Sequence, residues 1–137
     1  MLFSEGFNCS QAVFAAFAPG LGLDKETALK IASSFGGGIA QMGLTCGAVT
    51  GAFMVIGLKY GRTRADDVET KERNYELVRE FVSRFKALHG SIICRELLDA
   101  DMSTPEGKLK IREKNLTAEL CPGFVGAAAK ILDKLLK

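Results

Sequence analysis

The sequence predicts an all-α fold, a single-domain bundle of five to seven helices around a buried glycine-rich central helix. No stretch shows the sustained period-two alternation that is typical of a strand. Apolar residues instead recur at helical spacing in segments that begin with capping residues and end at glycine or proline. The stretch from Ile31 to Leu58 contains no charged residue. A helix without a polar face must be buried on every side, so the others are expected to cover it.

We predict that the central helix runs from Cys46 to Tyr60 with Thr45 as its N-cap. Three glycines at 36–38 precede it and can adopt positive φ without steric cost. Three more glycines lie four apart and predict a groove where a second backbone approaches closely: Gly43, Gly47 and Gly51. This stretch is also long enough to span a bilayer. Its polar and glycine residues favour the buried helix instead.

Two helices are predicted before the central one. Asn8 and Gln11 have the spacing of a capping box, and the helix that they start extends to about Ala18. Asp24 is the predicted cap of the second helix, which ends near Phe35.

The remaining helices follow the central one. A long helix is predicted from about Ala65 to His89, with its capping signal at Thr63 and Asp66 and its end at Gly90. Ser91 is the predicted cap of a short helix that carries Cys94. The last two are expected to begin at Thr104-Pro105 and at Cys121-Pro122, and the final one runs to about Leu135.

Composition limits the classes of function. The 137 residues are 47% hydrophobic and 25% charged, as expected for one soluble globular domain spanning 1–137. A net charge of +2, with both signs interspersed, argues against nucleic acid or an anionic membrane as partner. No signal peptide is visible, although the abrupt start suggests that a short N-terminal piece is missing. Four cysteines in such a chain favour redox or metal use in the cytoplasm over structural disulfides.

The candidate site residues are the four cysteines: Cys9, Cys46, Cys94 and Cys121. Each lies in the first turn of a predicted helix, where unpaired amides and the helix dipole favour a thiolate and lower the thiol pKa. Cys46 is the best candidate for a low pKa. The competing interpretation is that these cysteines pack as small buried hydrophobes. Separations of 37, 48 and 27 positions contain no C-x-x-C pair. Convergence as a tetrathiolate or as two disulfides stays open, with Cys94 and Cys121 the first pair to consider.

The segment Cys46-Gly47-Ala48-Val49-Thr50-Gly51 fits a C-G-A-x-x-G signature. With one cysteine upstream and two downstream, the chain resembles the C_GCAxxG_C_C family of redox-active proteins. The segments Gly6–Val13 and Gly90–Leu98 also resemble the sequences of this family, and the resemblance extends from about Glu5 to Leu132. It implies a redox role for the four cysteines but supplies no substrate or cofactor.

Three hypotheses follow. The first is a redox-active protein, an oxidoreductase in one version, whose low-pKa cysteines carry out thiol–disulfide or electron-transfer chemistry with a redox partner protein or a small thiol or disulfide. The second is a non-catalytic carrier of a metal ion or iron–sulfur cluster on the same four cysteines. The third is a helical interaction module, and a homo-oligomer stays open in all three. His89, Met42 and Arg95 are weaker candidates that we expect to be structural.

Overall fold

The computed structural model describes residues 2–137, and within that range the all-α prediction is confirmed. Seven α-helices follow one another: α1 Cys9–Phe17, α2 Lys25–Ala32, α3 Gly47–Tyr60, α4 Val68–His89, α5 Cys94–Leu97, α6 Pro105–Lys114 and α7 Leu116–Leu135. Two 3-10 turns, Pro19–Leu21 and Ser33–Phe35, follow α1 and α2. The described residues form no strand, only an isolated antiparallel bridge between Thr45 and Ile93. None of the helices within 2–137 is both long and apolar enough for a bilayer crossing.

Helix α3 is the centre of the bundle, as predicted, and it packs against α1, α4 and α7. Its side chains Val49, Ala52, Val55 and Ile56 are fully inaccessible to solvent. Burial ends towards the C-terminus of the helix, where Leu58 is 37% exposed. The prediction of a helix buried on every side is therefore right for residues 47–52 only, since Phe53, Met54 and Gly57 are half-buried.

Helix α1 approaches α3 at two glycines. A Cβ atom at Gly51 would lie 2.7 Å from the carbonyl oxygen of Ser10, and one at Gly47 would lie 3.0 Å from the Ser10 amide nitrogen. Two backbones can meet this closely only where the side chain is a hydrogen atom. Gly43 is not part of this contact, because it lies in the preceding loop with a φ of 71°. The predicted groove is thus two glycines long rather than three.

Several helix starts confirm the capping signals. Asn8 and Gln11 form both bonds of a capping box, at 2.9 and 3.0 Å. The Asp24 side chain accepts from the Thr27 amide at 3.0 Å, and Thr104 caps α6 with Pro105 in the first turn. Gly90 ends α4 in the left-handed conformation that was expected.

Other boundaries were predicted wrongly. Cys46, not Thr45, is the N-cap of α3. Helix α4 begins at Val68, three residues after the predicted start at Ala65. The reason is that the Asp67 side chain accepts from the Thr70 amide and caps the helix. The largest error concerns α7, which begins at Leu116 after the left-handed Asn115 rather than at Cys121. Its internal proline is tolerated near a solvent-exposed turn, where water can bond the carbonyl left without a donor.

Candidate functional site

The four cysteines line one cavity of about 700 Å³. Cys9 is the first residue of α1, Cys46 precedes α3, Cys94 is the first residue of α5, and Cys121 lies inside α7. All four are free thiols and are buried, with between 4% and 8% of their surfaces exposed. The fold therefore brings together all four candidates despite their separation in sequence.

Backbone pairing joins the two segments that carry Cys46 and Cys94. The Cys46 amide donates to the carbonyl of Ile92 at 2.7 Å, and the Cys94 amide donates to the carbonyl of Leu44 at 2.6 Å. These bonds flank the bridge between Thr45 and Ile93. The glycine-rich loop before α3 and the segment before α5 thus form one wall of the cavity.

Cys9 and Cys121 are joined more directly, because their thiols share a side-chain hydrogen bond. Cys9 is the donor in this bond. The bond, reinforced by burial and by the charges of the other three cysteines, raises the pKa of Cys9 far above its ordinary value. The same bond lowers the pKa of Cys121, although burial acts in the opposite direction. Cys121 is therefore the thiol of the cluster that carries a thiolate most readily.

The expectation of a low pKa at Cys46 is wrong. Burial raises the pKa of Cys46 from 9.0 to about 11, because the amides of Ala48 and Val49 favour the thiolate less than loss of water disfavours it. Burial likewise raises the pKa of Cys94 to about 12, with further contributions from Cys46, Cys121 and Asp101. A position at a helix start is thus insufficient. The cysteine whose pKa is lowered lies within a helix and owes the shift to another thiol.

The other sequence candidates lie away from this chemistry. Arg95 is exposed and acts on the carboxylate of Asp101 rather than on the neighbouring Cys94. Met42 is 47% exposed and does not line the cavity. His89 packs against the rings of Phe85 and Phe124, with centroid distances of 5.0 and 4.9 Å. The structural interpretation thus agrees with the positions of Arg95 and His89, whereas the expectation that Met42 fills the core is wrong, because its side chain is exposed.

The arrangement of ligand-type side chains bears on the metal hypothesis. Across residues 2–137, no group of three or more His, Cys, Asp or Glu side chains is placed so that it could hold a metal ion. The four thiols surround a cavity rather than a single coordination point. A metal or cluster on these cysteines stays a prediction without support from the geometry.

The loop at 36–41 contributes an unusual backbone to the cavity wall. Five consecutive residues are left-handed, with φ values of 66°, 68°, 67°, 49° and 62° from Gly37 to Gln41. The prediction of positive φ is right for Gly37 and Gly38 but wrong for Gly36, whose φ is −69°. The three residues after the glycines have side chains, and each such residue costs about 1–2 kcal/mol in this conformation. Strain of this kind is concentrated at functional sites.

Two cations at the cavity were missed by sequence reasoning. Lys108 and Arg112 lie four residues apart on α6 and line the cavity together with Ile111. Their spacing was the available signal, since residues at i, i+3 and i+4 share a helix face. Among the described residues, no aspartate or glutamate lines this cavity. The lining therefore combines four thiols, apolar walls and a net positive charge.

Comparison with known proteins identifies the family of this chain. Residues 7–135 match the model of the family described as "Putative redox-active protein (C_GCAxxG_C_C)". No curated protein and no solved structure matched the chain. The family match covers nearly the whole sequence and includes all four cavity cysteines. The chain therefore belongs to the C_GCAxxG_C_C family of putative redox-active proteins.

Proposed function

We propose that this protein is a thiol–disulfide exchange protein in which Cys9 and Cys121 interconvert between dithiol and disulfide. The observation that carries the proposal is that these two thiols, from opposite ends of the chain, line one cavity and interact side chain to side chain. A disulfide requires Cα atoms within about 7 Å, and hydrogen-bonded thiols are the pair best placed to meet that requirement. The proposed pair differs from the pair Cys94 and Cys121, which the sequence alone put first.

Cys121 is the attacking residue in this proposal, because its pKa is lowered by the bond from Cys9. Its thiolate attacks one sulfur of an external disulfide, R–S–S–R′, and R′S⁻ leaves as the Cys121–S–S–R bond forms. The sulfur of Cys9 then attacks the sulfur of Cys121, and its proton passes to the departing RS⁻. The products are one Cys9–Cys121 disulfide, R′S⁻ and RSH. The two cysteines lose two electrons, and the external disulfide gains them.

The environment of Cys9 suits the second step. Its raised pKa is caused chiefly by the bond to Cys121, next by burial and then by the charge of Cys121. Formation of the mixed disulfide removes the Cys121 thiolate, and with it the bond and that charge, while the effect of burial remains. Cys9 is therefore held as a neutral donor until Cys121 has reacted. Cys46 and Cys94, with pKa values of about 11 and 12, remain protonated at neutral pH and do not begin the exchange.

The test is to oxidise the reduced protein with hydroxyethyl disulfide and to map cross-linked peptides by mass spectrometry after an acid quench. We expect a Cys9–Cys121 disulfide in the wild type and in Cys46→Ser. In Cys9→Ser the exchange should stop at the mixed disulfide, with the small thiol trapped on Cys121. In Cys121→Ser neither product should form at a comparable rate.

The rate of alkylation by iodoacetamide against pH provides an independent readout. The most reactive cysteine should be Cys121, and Cys9→Ala should raise its apparent pKa by removing the donor. A different disulfide pair, or thiols that react only after unfolding, would contradict the proposal. In the latter case the four cysteines are packing residues.

A further inference from the structure

We propose that the disulfide accepted at this site is a small organic anion, carrying carboxylate or phosphate groups that bind Lys108 and Arg112. The inference rests on the proposed function for the exchange step, and it adds the class of substrate. Its foundation is the composition and shape of the cavity around the thiols.

Burial argues for a small molecule rather than a disulfide on a protein. None of the four cysteines exposes more than 8% of its surface, so a disulfide attached to a second folded chain would meet them only with difficulty. The cavity of about 700 Å³ falls within the range of roughly 300–1,000 Å³ that is typical of small-molecule sites. A free disulfide of low molecular weight can enter a space of this size and reach the sulfurs on its wall.

Charge argues for an anion. Lys108 and Arg112 are the charged side chains among the described residues that line the cavity. Neither takes part in the ion pairs found within residues 2–137, where the neighbouring Lys110 is paired with Asp99. The carboxylate of Asp101 helps to raise the pKa of Cys94, but Asp101 does not line the cavity. Two unpaired cations beside four thiols favour a ligand with negative charge.

The remaining lining suits the body of such a ligand. The amides of Gly37 and Gly38 donate no backbone bond within the described chain, and both residues lie in the left-handed part of the cavity wall. Successive free amides in such a loop form an anion-binding concavity. Asn8 and Asn115 add polar groups to the cavity lining, and Leu98, Met102 and Phe124 add apolar walls. The cavity thus suits an amphipathic anion better than an inorganic one.

The experiment compares three disulfides of different charge. Glutathione disulfide is anionic, hydroxyethyl disulfide is neutral and cystamine is cationic at pH 7. Oxidation rates of the reduced protein are measured at low ionic strength for the wild type, for Lys108→Gln with Arg112→Gln, and for a control. The control is Arg79→Gln with Lys86→Gln, which removes the same charge from exposed positions on α4 outside the cavity lining.

We expect the cavity variant to lose about tenfold or more in rate with glutathione disulfide, since local cations raise the concentration of an anionic reactant. Its rate with the neutral disulfide should change by less than about twofold, which also shows that the variant is folded. The control should match the wild type with both. Equal losses in the cavity variant and the control would overturn the inference, as would equal wild-type rates for all three disulfides.

A non-exchanging probe separates this inference from the proposed function. S-methylglutathione carries the same acidic groups as glutathione but cannot form a disulfide. It should slow iodoacetamide alkylation of Cys121 in the wild type and in the control, but not in the cavity variant. Protection of Cys121 from alkylation without any disulfide exchange would contradict the proposed function and support the anion site. Disulfide exchange without protection or charge preference would support the proposed function and contradict the anion site.

Discussion

Substitution of Gly51 by alanine tests whether α1 and α3 depend on a close backbone approach. The added Cβ would lie 2.7 Å from the carbonyl oxygen of Ser10 and 3.1 Å from the Cβ of Val13. An ordinary contact begins near 3.4 Å, so α1 must move by about 0.7 Å. The clash is with backbone, which has no alternative rotamer to adopt. The shift must therefore displace the helix that carries Cys9.

Two opposing terms decide the magnitude. Alanine in a helix interior is favoured over glycine by about 1 kcal/mol. Overpacking of a tight contact costs about 1–3 kcal/mol, and the upper part of that range applies where the obstacle is backbone. The net expectation is that Gly51→Ala lowers the free energy of unfolding by about 1–2 kcal/mol.

Gly57→Ala in the same helix is the matched control. A Cβ at Gly57 would meet no atom within 4 Å, so this substitution gains the helix preference without a clash. It should stabilise the protein by about 1 kcal/mol. Urea unfolding followed by circular dichroism should separate the two variants by about 2–3 kcal/mol, or roughly 6–12 °C in Tm. Equal stability of the two variants would refute the close-approach argument.

Two further predictions concern Cys46 and Asn8. The pKa of Cys46 lies near 11 in the folded state against an ordinary 9.0, so its contribution is fully present below pH 9 and is lost as pH rises through about 11. Cys46→Ala should therefore flatten the fall in unfolding free energy between pH 9 and 11 by about 3 kcal/mol in urea titrations, and an unchanged slope would contradict this. Asn8→Ala removes the cap bond that the Asn8 side chain accepts from the Gln11 amide and the bond that it donates to the Ser33 carbonyl, and should cost about 1–2 kcal/mol, whereas Asn8→Asp should recover part of the loss by keeping the cap acceptor.

The helices were predictable where a local signal decides the structure. Asn8 and Asp24 cap their helices through side-chain bonds that span three residues, so their sequence neighbourhood is sufficient. The start of α7 was not predictable in this way. Proline usually marks a first turn, and Cys121-Pro122 appeared to be a helix start. The left-handed turn at Asn115 opens the helix earlier, and packing of Phe124, Val125 and Ala128 against the core holds it through the proline.

The candidate site was predictable in its membership but not in its pairing. Four cysteines at family positions were identified from the sequence, and the fold places them on one cavity. Their contacts are set by how α1 and α7 pack, which no spacing between residues 9 and 121 encodes. Lys108 and Arg112 were missed for a similar reason. Exposed basic residues on a polar helix are ordinary, and they become notable only when the cavity beneath them is known.

The assignment of the low-pKa thiol shows why helix position alone misled the sequence argument. Cys46 has amides from its own helix start, yet burial outweighs them and its pKa rises. Cys121 has no helix-start amides, yet a neighbouring thiol supplies a donor. In a buried cluster the charge of one thiolate also disfavours ionisation of the others, as the pKa shifts of Cys9 and Cys94 illustrate.

Removal of Cys9 should therefore do more than delete a disulfide partner. It takes away the donor that makes Cys121 the preferred thiolate, so a second cavity cysteine could compete for the charge. The serine hydroxyl in Cys9→Ser can still donate a hydrogen bond to Cys121, whereas the alanine methyl group in Cys9→Ala cannot. Alkylation of Cys121 should consequently need a higher pH in Cys9→Ala than in Cys9→Ser, and identical pH profiles would mean that the hydrogen bond does not select the thiolate.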